Sequence, residues 1–378
     1  MRVVTDDERR ARLAVRHALA PAHRVTTPEA ATRAMTVLHS TEPATVYLSL
    51  WARKEAQDNQ ADVREIQRAL YTERTLVKQL AMRRTLFVFP RDLLPAVWPS
   101  ASARVATSER AAITKDAGPG WLDRARAEVL TLLAGHPGGL SATEIRRALP
   151  RLDLRVTVTR ILVHLGATAD IVRGENTTGW HNSRPRWTLM RYWLGEVPDP
   201  LDPAAGYREL VRRWLHSFGP GTEDDIVWWL GATKSVVRAA LAGLEAVPVG
   251  LHGGQTGWLL PGDVDEVADP GPWVALLPVL DPTTMGWKGR DFYLGPHRGA
   301  LFDRSGNAGT TAWADGRVVG CWVQDGDGAV RVRLLEKVSD RAREALDAEA
   351  DRLTAWLDGF RVPSGWVSPA MRAEAGIG

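Results

Sequence analysis

The residues best suited to chemistry lie together in the segment His39-Ser40-Thr41-Glu42-Pro43, which places an imidazole, two hydroxyls and a carboxylate within one turn of chain. Hydrolysis of an N-glycosidic bond develops positive charge on the sugar and needs a positioned water. A carboxylate serves both needs, accepting a proton from the water and stabilising the cation. A histidine or threonine can hold that water or bond to the base. A second reading uses the same residues structurally: Thr41 or Glu42 caps the helix that Pro43 begins, where a carboxylate also suits the helix dipole. The residue types alone leave both readings open.

Two other groupings suit a polyanion. Arg173, His181, Asn182, Arg184 and Arg186 crowd one hairpin, with Trp180 and Trp187 placed either to pack beneath them or to stack on bases. Arg83-Arg84-Thr85 opens a strand, and adjacent guanidinium groups can face a phosphate backbone. Charge distribution agrees. Residues 1–196 carry 30 Lys and Arg against 20 Asp and Glu, and the remainder 18 against 25, so the net +3 conceals a basic first half and an acidic second. Arginine dominates the cations, 42 to 6 over lysine, a bias that a G·C-rich genome would also produce.

These residues need a frame. The 378-residue chain is 44% hydrophobic and 25% charged, as a water-soluble protein of several domains would be. It has a single cysteine, Cys321, so no internal disulfide can form, and a reducing cytoplasmic setting is expected. No apolar signal core or membrane span is expected from the sequence. One cysteine and nine scattered histidines give no zinc-ligand spacing. A phosphate-binding P-loop and a nucleophile elbow are also missing from the sequence. Neither metal nor organic cofactor is expected.

Periodicity predicts helices over Arg9–Leu19, Glu29–Leu38, Pro43–Arg53 and Ile66–Leu76, then a strand from Arg83 to Phe89. From 120 to about 200 the order is clearer. Trp121–Leu133 is helical, Ser141 and Glu144 form a capping-box pattern, Arg155–Leu165 is helical, and two β-runs flank a Gly- and Asn-rich turn. Residues 203–264 repeat the order, with Thr222 and Asp225 at the second helix. Three helices followed by a hairpin is the winged-helix order. After Asp269-Pro270-Gly271-Pro272, short β-runs and Gly/Asp turns predict a small antiparallel sheet or barrel over 270–335, followed by a helix over Ser339–Leu357.

The stretches Met35–Arg53, Met82-Arg83-Arg84-Thr85-Leu86-Phe87, Leu277-Pro278-Val279-Leu280-Asp281-Pro282 and Ala314-Asp315-Gly316-Arg317-Val318-Val319-Gly320, in this order, resemble the tandem winged-helix DNA glycosylases of the AlkZ/YcaQ group. That resemblance implies an α+β protein with three winged-helix domains curved into a concave face for double-stranded DNA, plus a C-terminal β-barrel and terminal helix. The corresponding domains are 1–95, 120–200, 203–264 and 270–378, with 96–119 as a linker. It also implies a monomeric enzyme, associated with the nucleoid, that excises alkylated purines or unhooks interstrand crosslinks by a monofunctional reaction. His39, Thr41 and Glu42 would then be catalytic. Arg83, Arg84, Thr85, Arg173, His181, Asn182, Arg184 and Arg186 would contact DNA. The alternative is a winged-helix DNA-binding protein without catalysis. The sequence departs from the group's pattern in two places: His39 and Thr41 stand where relatives carry Gln-x-Gln or Gln-x-Asp, and Phe87 stands where a histidine is common.

Overall fold

A computed structural model describes residues 1–55, 58–152 and 156–372. It is a mixed α+β fold with small, open sheets. The chain begins with β1 (Val3–Val4) and α1 (Asp6–Arg16), capped by the Thr5 hydroxyl, which accepts from the Glu8 N–H. Sequence periodicity placed α1 in the first unit, but it docks elsewhere. β1 pairs in parallel with Gly250 and Leu251, and Arg12 and Arg16 bind Asp263.

The first unit contains α2 (Pro28–Ala34), β2 (Leu38–His39), α3 (Pro43–Trp51), α4 (Asn59–Gln67), β3 (Leu76–Ala81) and β4 (Thr85–Pro90). The predicted helix over Ile66–Leu76 is corrected here. The helical path ends in a wider turn at Arg68–Thr72, and Leu76 opens a fully buried strand. Lys78 and Gln79 interrupt its apolar residues, so the sequence shows neither the alternation of a half-exposed strand nor the continuous apolar run of a buried one. The sheet order is β2-β4-β3, with Leu38 opposite Val88 and His39 opposite Phe87.

The segment 96–119, expected to be a linker, instead holds helix α5 (Ala103–Ala117). Its small apolar residues gave little periodic signal, but Val105, Ala106, Ile113 and Ala117 are buried and the helix packs on the third helix of the next unit. That unit contains α6 (Trp121–Ala134), α7 (Ala142–Ala148), α8 (Val158–Ala167), β5 (Ile171–Asn176) and β6 (Pro185–Leu189). Arg155 of the expected third helix lies outside the described residues. The third unit has α9 (Pro203–Phe218), α10 (Glu223–Leu230), α11 (Lys234–Gly243), β7 (Val247–Leu251) and β8 (Thr256–Leu259).

In all three units a short extended piece before the second helix pairs with the second hairpin strand. The pairs are β2 with β4, Leu140 with Trp187, and Gly221 with Trp258. The residue that follows Leu140 or Gly221 starts its helix with a reciprocal capping box, Ser141 with Glu144 and Thr222 with Asp225.

The C-terminal module has strands β9 (Val274–Leu277), β10 (Thr311–Ala314), β11 (Arg317–Gln324) and β12 (Val330–Leu334), then α12 (Asp340–Leu357). The strands form an open antiparallel meander in chain order, so the expected closed barrel is corrected to a sheet with two edges. Helix α12 packs against both β9 and β12, and a helix lying across a small sheet covers its apolar face without closure.

One apolar core runs through the first unit, the third unit and the C-terminal module; a second, separate core spans Ile113 to Leu189 in the middle unit. The larger core contains an ion pair between Arg53 at the end of α3 and Asp281. Both residues are fully buried and joined at 2.7 Å, with Ser49 and Thr283 adding further hydrogen bonds.

Candidate functional site

The loop between β2 and α3 occupies the position that the capping boxes occupy in the other two units. Here the local chemistry differs. Glu42 is the N-cap residue of α3, but its carboxylate does not accept from the first-turn amides. It accepts instead from the Gly365 N–H at 3.1 Å, on a C-terminal segment that crosses over the loop. Thr41 makes no side-chain hydrogen bond among the described residues. The helix-capping reading of Thr41 and Glu42 is therefore corrected: Pro43 starts the helix with its fixed φ, and neither side chain caps it.

Glu42 borders a cavity of about 200 Å³ between α3 and the C-terminal sheet, with Thr45, Thr310, Trp322 and Ser364 among its walls. At about 30 Å³ per water, the space holds several. Partial burial raises the Glu42 carboxyl above its ordinary range, and the Gly365 N–H offsets this in part.

His39 faces the other way. It is 8% exposed, and its ring meets Phe87 edge-on at 5.3 Å. Burial, reinforced by the nearby Arg83 cation, pushes its imidazole down to about 3, so it is neutral at physiological pH. Its Nδ1, like the hydroxyl of buried Ser40, has no hydrogen-bond partner among the described residues. Buried polar atoms are normally paired, so adjacent unsatisfied groups mark capacity held in reserve.

Arg83 and Arg84 sit at the tip of the β3–β4 hairpin, both in left-handed backbone at φ 54° and 60°. Neither is glycine, so the turn carries strain of roughly 1–2 kcal/mol per residue. Arg83 is accessible to solvent yet walled in, and its guanidinium lies 4.1 Å from the Trp228 ring centroid on α10. Burial and the nearby Arg290 lower it to about 10. Arg84 pairs with buried Glu109 of α5 at 2.5 Å while its own side chain stays half exposed. Thr85 is half-buried, its hydroxyl donating to the Arg83 carbonyl. The tip therefore reaches both α5 and α10. Arg290, which the sequence reading missed, was hidden because it follows a Gly-Trp-Lys-Gly turn with no basic neighbour in sequence beyond Lys288.

The middle-unit hairpin does not join this group. His181 packs on Phe360 at 4.4 Å, and Trp180 lies 4.8 Å from Tyr47 on α3. Asn182 donates to the Thr178 carbonyl and lies beside the His181 ring. Arg186 donates to the carbonyls of Gly138 and Gly139. Arg173 rests over Trp187 at 4.9 Å, and burial lowers it to about 10. Arg184 is exposed at the turn. The structure thus brings His39 towards Arg83, turns Glu42 to a separate cavity, and uses most of the hairpin's polar groups internally.

Among the described residues no helix is long and apolar enough to cross a membrane, and no cluster of three potential ligands could hold a metal ion. A family model described as DNA glycosylase AlkZ-like matches residues 32–356. No curated protein matches the chain. Among solved structures, the Streptomyces sahachiroi DNA glycosylase AlkZ shares the fold, with a TM-score of 0.78 at 20% sequence identity over 96% of this chain and 99% of that one.

Proposed function

The chain belongs to the AlkZ-like DNA glycosylase family, and from that premise we propose that it hydrolyses the N-glycosidic bond of N7- or N3-alkylated purines in double-stranded DNA, with Glu42 activating the water. The observation that carries this reading is the released N-cap. The corresponding loops of the other two units spend their side chains on capping boxes, whereas Glu42 leaves the α3 amides and borders a space large enough for water. In the reaction, water adds to C1′ as the C1′–N bond breaks, Glu42 takes the water's proton, and the bond's electrons leave with the base. An N7-alkylated purine departs as a neutral molecule, so protonating the leaving group is unnecessary. Neutral His39, facing away from the Glu42 cavity and with an Nδ1 that has no partner among the described residues, suits a hydrogen bond to the base better than it suits a charge. Thr41, next to Glu42 in the chain, is proposed to hold that water.

The three helix–helix–helix–hairpin units are read as winged helices. Their concave side would take the duplex, and exposed Arg184 is the hairpin cation most available to phosphate. A monomer suffices for such a reaction, and crosslink unhooking would use the same bond cleavage.

The test is excision from a duplex carrying N7-methylguanine, read as strand breaks after alkali. Glu42→Gln should reduce the single-turnover rate by about 10²–10⁴-fold with duplex binding retained. Wild-type protein that leaves alkylated duplexes and a nitrogen-mustard crosslink uncut would instead favour a DNA-binding protein without catalysis.

A further inference from the structure

Arg290 is a buried cation without an anionic partner among the described residues. It is 4% exposed, its Nε and Nη2 have no hydrogen-bond partner among the described residues, and no carboxylate pairs with it there. Around it stand the rings of Trp228 and Phe302 at 4.8 and 4.7 Å, the Tyr293 hydroxyl, Arg298 and Asp225. Asp225 is occupied elsewhere, accepting from the backbone amides of Thr222, Lys288 and Gly289 and from the Thr222 hydroxyl. The Tyr293 hydroxyl donates to the Thr284 carbonyl and accepts from the Arg290 guanidinium, a neutral partner that leaves the charge unbalanced. Arg83 approaches the same Trp228 ring from the hairpin tip, and it too has no ion pair among the described residues.

Two cations converging on one ring repel each other, and a buried unpaired guanidinium is costly. The fold nevertheless fixes them there. Arg83 is held by a strained turn, and Gly231 in left-handed backbone at φ 64° clears its path: a Cβ at Gly231 would stand 3.1 Å from the Arg83 Cγ. An anion between the guanidinium groups would relieve both costs, because planar guanidinium forks match phosphate oxygens.

We propose that Arg83 and Arg290, both held against Trp228, form a binding site for one phosphodiester of the DNA backbone, joining the first unit and the C-terminal module on a single strand. The site rests on the DNA-acting reading above, and its test is separable from base excision.

The test measures binding of an unmodified duplex to the full-length protein across a salt series, for wild type, Arg83→Gln, Arg290→Gln and the double variant. One shared phosphate predicts that each single variant loses about 0.9 from the slope of log K against log salt. The double variant should lose no more than a single one. Arg83→Gln, at an accessible turn, keeps the test valid if Arg290→Gln fails to fold. Wild-type slope and affinity in folded Arg83→Gln would overturn the proposal. So would protection of wild type against thermal unfolding by inorganic phosphate, lost in Arg83→Gln without any change in the DNA slope, because the anion would then be free phosphate. Slopes that fall while wild type excises no alkylated base leave this site standing and remove the glycosylase reading. Excision with unchanged slopes does the reverse.

Discussion

His39 and Glu42 are three residues apart, yet their environments separate them. With its carboxyl raised by burial, Glu42 must lose its proton before it can accept one from water. The excision rate should therefore fall on the acid side with a midpoint above the ordinary carboxyl value of 4.5. No inflection from His39 should appear between pH 6 and 7, because its imidazole is neutral well below that range. A wild-type rate profile that drops through pH 6.5 and flattens in His39→Gln would contradict this. The same burial predicts a stability effect. Between pH 6.5 and about 3 the unfolded chain binds a proton at this residue that the folded chain refuses. The contribution is thus complete above pH 6.5 and is lost as the pH falls towards 3. Urea denaturation at pH 7 and pH 5 should show wild type losing more stability than His39→Gln. The residue types singled out this loop as a candidate for chemistry. They did not give its geometry, because capping and catalysis ask for the same Thr and Glu, and only the distant Gly365 N–H shows that the Glu42 carboxylate is not used as a cap.

Among the elements, those closed by local rules were readable. Ser141-x-x-Glu144 and Thr222-x-x-Asp225 form the capping boxes their spacing implies. Elements fixed by distant contacts were not. Strand β3 shares only Leu76 with the predicted helix and otherwise falls where periodicity predicts no element until β4 pairs with it, and α5 has too few large side chains to announce a packed face. The β3–β4 turn offers a direct measurement. Because Arg84 sits at φ 60°, Arg84→Gly should be about 1 kcal/mol more stable than Arg84→Ala by chemical denaturation, since both lose the Glu109 pair and only glycine relieves the backbone. Equal stability of the two variants would show that the turn is not strained as described.

The arrangement of cores sets the cooperativity of the whole molecule. The continuous core ties the first and third units to the C-terminal module, and Arg53–Asp281 sits inside it. Arg53→Met leaves Asp281 buried without its cation, a loss of about 3–5 kcal/mol. Hydrogen exchange should then accelerate together in α3 and β9, while α6 and α8, built on their own core, keep wild-type protection. Acceleration confined to α3 would deny the shared core. The resemblance based on Met35–Arg53 and Leu277–Pro282 drew on residues at the two ends of this pair. That motif is legible in sequence as a recurring pattern, but its physical reason is a contact across 228 positions of chain.

The pairing of β1 with Gly250 and Leu251 has a consequence for synthesis. On synthesis, β1 has no partner strand until β7 follows it. At about 5–20 residues per second, that interval is roughly 10–50 s. Throughout it the apolar side of α1 is uncovered in the cell, so this segment of the nascent chain is one that a holding chaperone would shield.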